Sequence, residues 1–194
     1  MARPKEFDRD ATLERAMSVF WSKGYAASST EDLLKAMRIG RQSMYDTFGD
    51  KRRLYLEALE RYQRESVAGN IDRLRSTTSP LAGIEALVTG LIPADKAWRE
   101  RGCMGVGSIC EFGRADAHLQ ELRAKFGNIF HKALIERLRA AQAVGEINKS
   151  MDIVRAARFV ETTMQGLQVA ARAGADPEEL RATAAFAIAG LRNR

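Results

Sequence analysis

Apolar side chains recur every three or four residues along nearly the whole chain. Leu13, Met17 and Phe20 show this spacing near the start, and a long stretch from Leu119 to Leu138 repeats it. A period near 3.6 residues is typical of amphipathic α-helices, whereas β-strands alternate with a period of two. The sequence contains no sustained alternation and no Asn-Gly or Asp-Gly dipeptide of the kind found in β-hairpins. We therefore predict an all-α protein of about nine helices.

Residues that cap or stop helices divide this pattern into segments. The expected starts are Asp8 or Asp10, Ser29 or Thr30, Arg41 after a break at residues 38–40, Gly49-Asp50, Ser79-Pro80, Asp116 and Asp176-Pro177, and the expected stops are Gly24, Gly145 and Gly174. Pro93 is expected to kink or end the fifth helix, because proline lacks a backbone N–H. The apolar but glycine-rich segment 102–115 is expected to form a short, irregular helix.

Several classes of protein and site are excluded at this stage. No run of about 18 apolar residues is present, so no membrane-spanning helix is predicted. Residues 1–8 contain no apolar segment of the kind found in secretory signals, and we expect a cytoplasmic protein. Cys103 and Cys110 would lie about 10 Å apart along a helix, too far for a disulfide, and they lack the spacing of a zinc site. We expect two reduced, mostly buried thiols, no bound metal and no cofactor.

Positive charge is concentrated in one short part of the chain. The sequence has 31 Lys and Arg against 25 Asp and Glu, a net charge of +6. Residues 38–53 hold five basic and two acidic side chains, and thus half of that excess. A charge run is often only a solvated face, so this clustering permits nucleic-acid binding without establishing it.

Residues 1–50 have the spacing of a helix-turn-helix. A recognition helix must be short, polar on its outward face and held by apolar residues on its inward face. Ile39, Met44 and Phe48 are the expected inward anchors of the third helix. The outward side chains are then Arg41, Gln42, Ser43, Tyr45 and Thr47. Arginine can pair with guanine and glutamine with adenine, while hydroxyls bind phosphates or base edges. Lys51 and Arg52 lie where a DNA phosphate would pass. The alternative is an ordinary three-helix corner with a solvated outer face.

Residues 24–54 also carry motifs of a known protein family. Residues 44–54 are M-Y-D-T-F-G-D-K-R-R-L, preceded by Gly24-Tyr25 and by S-S-T-E-D-L-L at 28–34. These motifs resemble the amino-terminal domain of tetracycline-repressor (TetR-like) regulators, with its glycine before the second helix, its Thr-Ser-type cap and its core L-Y-x-x-F-x-x-K-x-x-L. The segment R-G-C-M-G-V-G-S-I-C-E-F at 101–112 is similar to a G-C-L-x-x-x-x-x-E segment in the ligand domains of some members.

The resemblance implies roles for individual residues. The phosphate contacts that it implies are Thr30, Tyr45 and Lys51. It places Arg41, Gln42 and Ser43 at the entry of the recognition helix and Thr47 at a common base-contacting position. Two positions depart from the family pattern. Arg38 replaces the usual turn glycine, so a non-glycine residue is expected at positive φ, and Gly40 replaces the usual Ser or Thr cap.

The resemblance further implies a helix-turn-helix domain at residues 1–52 and a ligand-binding and dimerisation domain at residues 53–194. The expected function is that of a repressor that leaves its palindromic operator when a small, mostly apolar effector binds. The expected partners are double-stranded operator DNA, an unidentified small-molecule effector, and a second copy of the chain bound through the last two helices. Those helices are rich in small residues that permit close helix packing, either between copies or within one chain: Ala170, Ala171, Ala173, Ala182, Ala184, Ala185, Ala187, Ala189 and Gly190.

Candidate ligand contacts are apolar and aromatic residues with a few polar anchors on the later helices. These candidates are Tyr62, Met104, Ile109, Glu111, Phe112, Phe126, Phe130, Gln165 and Gln168. Aromatic residues at helical spacing also form ordinary core, which is the alternative at each of these positions.

The sequence argues against two other functions. An architectural DNA-binding protein without a ligand would be basic throughout, but residues 76–194 carry 16 basic and 13 acidic side chains. A helical enzyme would need a framed set of reactive groups. His118 and His131 are too far apart along one helix to share a metal, and no catalytic triad order or phosphate-binding loop surrounds them. We therefore expect no catalytic residues.

Overall fold

The computed structural model describes residues 7–192, which form ten α-helices. The helices are α1 (Arg9–Lys23), α2 (Thr30–Met37), α3 (Arg41–Phe48), α4 (Lys51–Arg75), α5 (Pro80–Thr89), α6 (Lys96–Arg101), α7 (Met104–Phe112), α8 (Ala117–Ala143), α9 (Ile153–Arg172) and α10 (Pro177–Ala189). No β-strand occurs among residues 7–192. The all-α prediction is confirmed, and the structure adds the short helix α6 to the helices expected.

Side-chain caps begin the helices close to where the sequence placed them. Asp8, rather than Asp10, caps α1, since its carboxylate accepts hydrogen bonds from the backbone N–H groups of Asp10 and Ala11 at 2.9 and 3.1 Å. Ser29, rather than Thr30, caps α2. Its hydroxyl accepts from the backbone N–H of Asp32 at 3.0 Å, and the Asp32 carboxylate accepts from the backbone N–H of Ser29 at 3.1 Å. Thr30 is therefore the first helical residue of α2.

The segment around Pro93 is a connection between two helices and not a kinked helix. Helix α5 ends at Thr89, before Pro93. Asp95 then caps α6 by accepting from the backbone N–H of Trp98 at 2.8 Å. The buried side chain of Arg99 donates to the carbonyl of Pro93 at 2.9 Å. Only six residues long, α6 gives too little periodic signal to be recognised in the sequence.

Two apolar cores stabilise the molecule. The first lies between α1, α2, α3 and the first part of α4, and it includes Met104 of α7 and Leu119 of α8. The second lies between α5, α8, α9 and α10, and it includes Leu74 near the end of α4. Helix α4 thus contributes to both cores. The division of the chain at residue 52 stays a prediction.

Two expectations concern the start of the chain and the membrane. The expectation of no secretory signal rests mainly on residues 1–6, which lie outside the described residues. Within residues 7–192, no helix combines the length and the apolar character needed to cross a membrane.

The turn between α2 and α3 holds Arg38 in the left-handed region, with φ 58° and ψ 41°, as its position predicted. A side chain there costs about 1–2 kcal/mol. Arg38→Gly should therefore raise the free energy of unfolding by about 1 kcal/mol, after the greater chain entropy of glycine is subtracted. Urea unfolding in the absence of DNA measures this difference. Arg38→Ala keeps the Cβ atom and should give no gain, so an equal gain in both variants would contradict the strain argument.

Candidate DNA interface and central cavity

Helix α3 presents one buried face and one polar face. Met44 and Phe48 are 0% and 4% exposed and lie in the first core, with Ile39 packed against it. Arg41, Gln42 and Tyr45 are exposed on the opposite face. This arrangement follows from their spacing, because residues four apart lie on the same side of a helix. The polar face is therefore available to a partner.

The remaining side chains of α3 and its first turn complete this surface. Ser43 and Thr47 are half-buried beside the exposed residues. Gln42 Nε2 donates to the Asp46 carboxylate at 2.8 Å, one turn along the helix. Gly40 is the N-cap and has no side chain to accept from the first turn. The start of α3 therefore presents backbone N–H groups of the kind that bind phosphate oxygens.

Besides Tyr45 of α3, the residues expected to contact phosphates lie at the starts of α2 and α4. Thr30 is half-buried at the start of α2. Lys51, at the start of α4, places Nζ 4.4 Å from the centre of the Tyr25 ring. Arg52 donates to the carboxylate of Asp116, the cap of α8, at 2.7 Å, and this hydrogen bond lowers the pKa of Asp116. The pairing joins α4 to α8, while the Arg52 side chain stays 46% exposed. The expected phosphate contact of Arg52 stays a prediction.

A cavity of about 450 Å³, here called the central cavity, lies between α4, α7, α8 and α9. Six of the candidate ligand contacts line it: Tyr62, Ile109, Phe126, Phe130, Gln165 and Gln168. The other apolar walls come from Val67, Leu91, Val106 and Met164. A mostly apolar cavity of this size with a few amide and hydroxyl groups is typical of small-molecule sites.

The remaining three candidates lie outside the central cavity. Met104 is 3% exposed and belongs to the first core. The ring of Phe112 lies 5.3 Å from that of Tyr25, centre to centre. The Glu111 carboxylate accepts hydrogen bonds from the backbone N–H groups of Tyr25 and Ala26 at 2.8 and 3.1 Å. These three side chains hold α7 against the first core, so we no longer regard them as contacts of a ligand in the central cavity.

The structure places polar groups in the central cavity that the sequence did not indicate. His131 Nδ1 lies 2.8 Å from the Glu161 carboxylate, whose other oxygen accepts from Arg158 at 3.2 Å. Arg158 and Glu161 are three residues apart on α9, but His131 comes from α8, 30 residues from Glu161, so no local spacing in the sequence links His131 to the pair. The Tyr62 phenol is buried beside Cys103, and burial raises its pKa well above the ordinary value. Tyr62 therefore offers a neutral hydroxyl at neutral pH.

A second cavity, of about 390 Å³, lies where α7 and α9 meet the end of α1, and we call it the junction cavity. Met104 and Glu111 line it together with Phe20 and Gly24 of the first core and its adjoining loop. Three residues, Cys103, Val106 and Gln168, line both cavities and form the wall between them.

The end of α1 is also held by arginines from the later helices. Arg172 donates to the carbonyls of Trp21 and Ser22 at 3.4 and 3.3 Å, and Arg101 donates to the carbonyl of Ser18 at 3.2 Å. Trp21 Nε1 in turn donates to the carbonyl of Gly102 at 2.9 Å. Cationic groups are favoured at the C-terminal end of a helix. These contacts join residues about 80 to 150 positions apart, which is why the sequence did not reveal them.

Both cysteines are free. Cys103 is half-buried in the wall between the cavities, but Cys110 is exposed on α7. The expectation of two mostly buried thiols is therefore wrong for Cys110, because the face of α7 that carries it is open to solvent.

Comparison with known proteins gives a consistent result along the whole chain. Residues 13–58 match the model for bacterial regulatory proteins of the tetR family, and residues 80–187 match the model for tetracyclin repressor-like C-terminal domains. The uncharacterized HTH-type transcriptional regulator YezE of Bacillus subtilis (strain 168) is 32% identical over 183 residues, which cover 93% of this chain and 94% of YezE. The HTH-type transcriptional repressor ComR of Escherichia coli (strain K12) is 30% identical over 182 residues, which cover 92% of this chain and 86% of ComR.

Solved structures give the same result. A cysteine mutant of the TetR family transcriptional regulator CifR, complexed with 26-bp double-strand operator DNA, is 30% identical to this chain. The two superpose with a TM-score of 0.83 over 98% of this chain and 100% of the CifR chain. The similarity therefore includes both the helix-turn-helix and the helical domain that follows it.

Proposed function

The chain belongs to the tetR family of bacterial regulatory proteins, and on that basis we propose that it is a ligand-responsive transcriptional repressor. It binds a pseudo-palindromic operator as a homodimer and leaves the operator when a small molecule occupies the central cavity. The exposed polar face of α3, backed by buried Met44 and Phe48, is the observation that carries the DNA-binding part of this proposal. Since its target is bacterial operator DNA, we place its action in the cytoplasm.

We assign the DNA contacts to two groups of side chains. The base-reading group is Arg41, Gln42, Ser43 and Thr47. The phosphate-binding group is Thr30, Tyr45 and Lys51. Gln42 must exchange its hydrogen bond to Asp46 for one to a base, and this exchange is cheap because both side chains are exposed.

The proposal is tested by selecting bound fragments from random double-stranded DNA. Wild-type protein should select a pseudo-palindrome whose half-sites lie about 10 bp or a little more apart. Arg41→Ala and Gln42→Ala should relax base preference by about 1–3 kcal/mol each if the contacts are bidentate. Lys51→Ala should weaken binding to all sequences alike and make the salt dependence shallower by about one unit.

The selection and the variants contradict the proposal under defined outcomes. A single asymmetric site bound by one protomer would refute the dimeric repressor. A change of base preference in Lys51→Ala without one in Arg41→Ala would refute the assignment of the two groups. Thr89→Ala, on α5 far from α3 in sequence, is the control variant and should leave the selected sequence unchanged.

The lining of the central cavity supports an effector that is mostly apolar and carries one or two hydrogen-bonding groups. Phe126 and Phe130 offer apolar surface, while Gln165, Gln168 and the Tyr62 hydroxyl offer polar partners. Tyr62 lies on α4, which begins directly after α3. The dimer has one conformation that binds the operator and one that does not. An effector that binds the second conformation more tightly shifts the population toward it, and the protein leaves the operator.

The outer faces of α9 and α10 support the homodimer. On α10, Ala182, Ala185, Phe186 and Ala189 are exposed along one side. On α9, the corresponding exposed residues are Phe159, Thr162, Gly166 and Val169. Small residues around large apolar ones permit the close packing of a four-helix interface made by two helices from each protomer. Other small residues of these helices, Ala171, Ala184 and Ala187, are buried within the chain, so only part of the small-residue pattern serves the dimer.

A further inference from the structure

Helix α7 separates the central cavity from the DNA-binding part of the chain. Val106 and Ile109 face the central cavity. At the end of the same helix, the Glu111 carboxylate accepts hydrogen bonds from the backbone N–H groups of Tyr25 and Ala26 at 2.8 and 3.1 Å. Helix α7 therefore contacts both the central cavity and the loop between α1 and α2.

The loop is shaped to receive this carboxylate. Gly24 ends α1 with φ 80°, and a Cβ atom at this position would lie 2.7 Å from Glu111 Oε1. Only glycine allows both this backbone conformation and this close approach. Five residues after Gly24 the chain reaches Ser29, the cap of α2. Glu111 thus contacts the segment that leads into the helix-turn-helix.

Helix α7 is bounded by glycines and adjoins empty space. Gly102 and Gly113 flank it with positive φ values of 62° and 51°. Inside the helix, Gly105 and Gly107 lower its intrinsic stability. A Cβ atom at Gly107 would meet no atom within 4 Å, and this residue lines the junction cavity of about 390 Å³. The junction cavity gives α7 room to move away from the central cavity.

We propose that Glu111 is the positioning residue through which occupancy of the central cavity controls the DNA-binding domain. An occupant presses on Val106 and Ile109, and α7 shifts into the space of the junction cavity. Because the Glu111 carboxylate already lies against Gly24, this shift breaks the geometry in which it accepts from the N–H groups of Tyr25 and Ala26. The released helix-turn-helix must then be ordered again each time it binds DNA, so its operator affinity falls. This inference rests on the proposed repressor function and specifies how its cavity is coupled to its DNA interface.

A double-mutant cycle on operator affinity tests this coupling without a known effector. Gly127→Phe places a bulky side chain at the central cavity, where a Cβ atom would meet no atom within 4 Å, and so takes the place of an occupant. Gly127→Phe and Glu111→Ala should each lower operator affinity about 10-fold, a coupling typical of allosteric proteins. The double variant should also lose only about 10-fold in operator affinity. If Gly127→Phe already breaks the hydrogen bonds to Glu111, removing the Glu111 carboxylate has no further effect.

The control variants distinguish coupling through Glu111 from independent losses of operator affinity. Glu136→Ala removes an exposed carboxylate elsewhere on α8. Its effect on the free energy of operator binding should add to the effect of Gly127→Phe. Glu111→Gln keeps one acceptor oxygen and should recover most of the operator affinity. Hydrogen exchange at the amides of Tyr25 and Ala26, measured without DNA, should be faster in both Glu111→Ala and Gly127→Phe than in wild type. If Glu111→Ala fails to fold, faster exchange at the amides of Tyr25 and Ala26 in Gly127→Phe tests the coupling by itself, and unchanged exchange there overturns it.

Each outcome has a defined meaning. A double variant about 100-fold weaker than wild type, the product of two independent effects, would overturn the role of Glu111. Wild-type operator affinity in Gly127→Phe, or unchanged exchange at Tyr25 and Ala26, would also overturn it. A wild-type protein that selects no DNA fragment would instead refute the proposed function itself, so the two failures are distinct.

Discussion

Phe186→Glu is expected to convert the dimer into monomers and to lower operator affinity about 10²- to 10⁴-fold, the gain that a second linked contact normally provides. Phe186 is 83% exposed in the single chain, more than any other large apolar side chain described. In a two-fold symmetric interface each substitution acts twice. Burying a Phe contributes about 1.5–3 kcal/mol, and an unpaired carboxylate in its place costs more.

The effect of Phe186→Glu is measured by analytical ultracentrifugation and by titration of the selected operator. Ile129→Glu is the matched control, because Ile129 is an exposed apolar residue, 48% exposed, on α8 rather than on α9 or α10. Ile129→Glu should stay dimeric. A dimeric Phe186→Glu protein of wild-type operator affinity would show that α10 does not form the interface.

The second large effect concerns the link between effector and operator. A compound that releases the protein from DNA should bind about 5- to 150-fold more weakly when operator is present, because coupling between two sites is reciprocal. The chain has 2 tryptophans, and they lie close to each other near the end of α1. The rings of Trp21 and Trp98 lie 5.1 Å apart, and Trp21 lies 4.9 Å from Tyr62, which lines the central cavity.

Tryptophan fluorescence therefore provides the measurement. Small apolar aromatic compounds are screened for a change in fluorescence, and each hit is titrated with and without operator. Phe130→Trp enlarges a side chain of the cavity wall and should lower the affinity of the protein for each hit. Ile129→Ala, on the exposed side of α8, should leave that affinity unchanged. Equal affinities with and without operator would remove the inducer mechanism and leave a DNA-binding protein regulated in another way.

Much of the fold could be predicted because its signals are local. The cap of α4 at Asp50 and the start of α5 at Pro80 follow from side chains within three residues of each helix end. The inward position of Met44 and Phe48 follows from their spacing on α3. The positive φ of Arg38 was implied by the family resemblance, which places a glycine at this turn position. Such features depend on neighbours along the chain, which the sequence displays directly.

The candidate sites could be predicted only in part. Tyr62, Phe126 and Phe130 line the central cavity as expected, because apolar positions on the inner sides of adjacent helices must face the same space. Glu111, in contrast, lines the junction cavity and not the central cavity. Helix α7 carries apolar and small residues on all of its sides. Its sequence therefore does not indicate which side faces the central cavity.

The sequence alone thus determined the helices other than α6, most of their ends and the polar outer face of α3, since each depends on residues within one or two turns. Tertiary structure alone decided which distant groups meet. Arg52 pairs with Asp116 across 64 residues, and Glu111 reaches the N–H group of Tyr25 across 86. Such contacts arise from how the helices pack against one another, and local spacing carries no information about that packing.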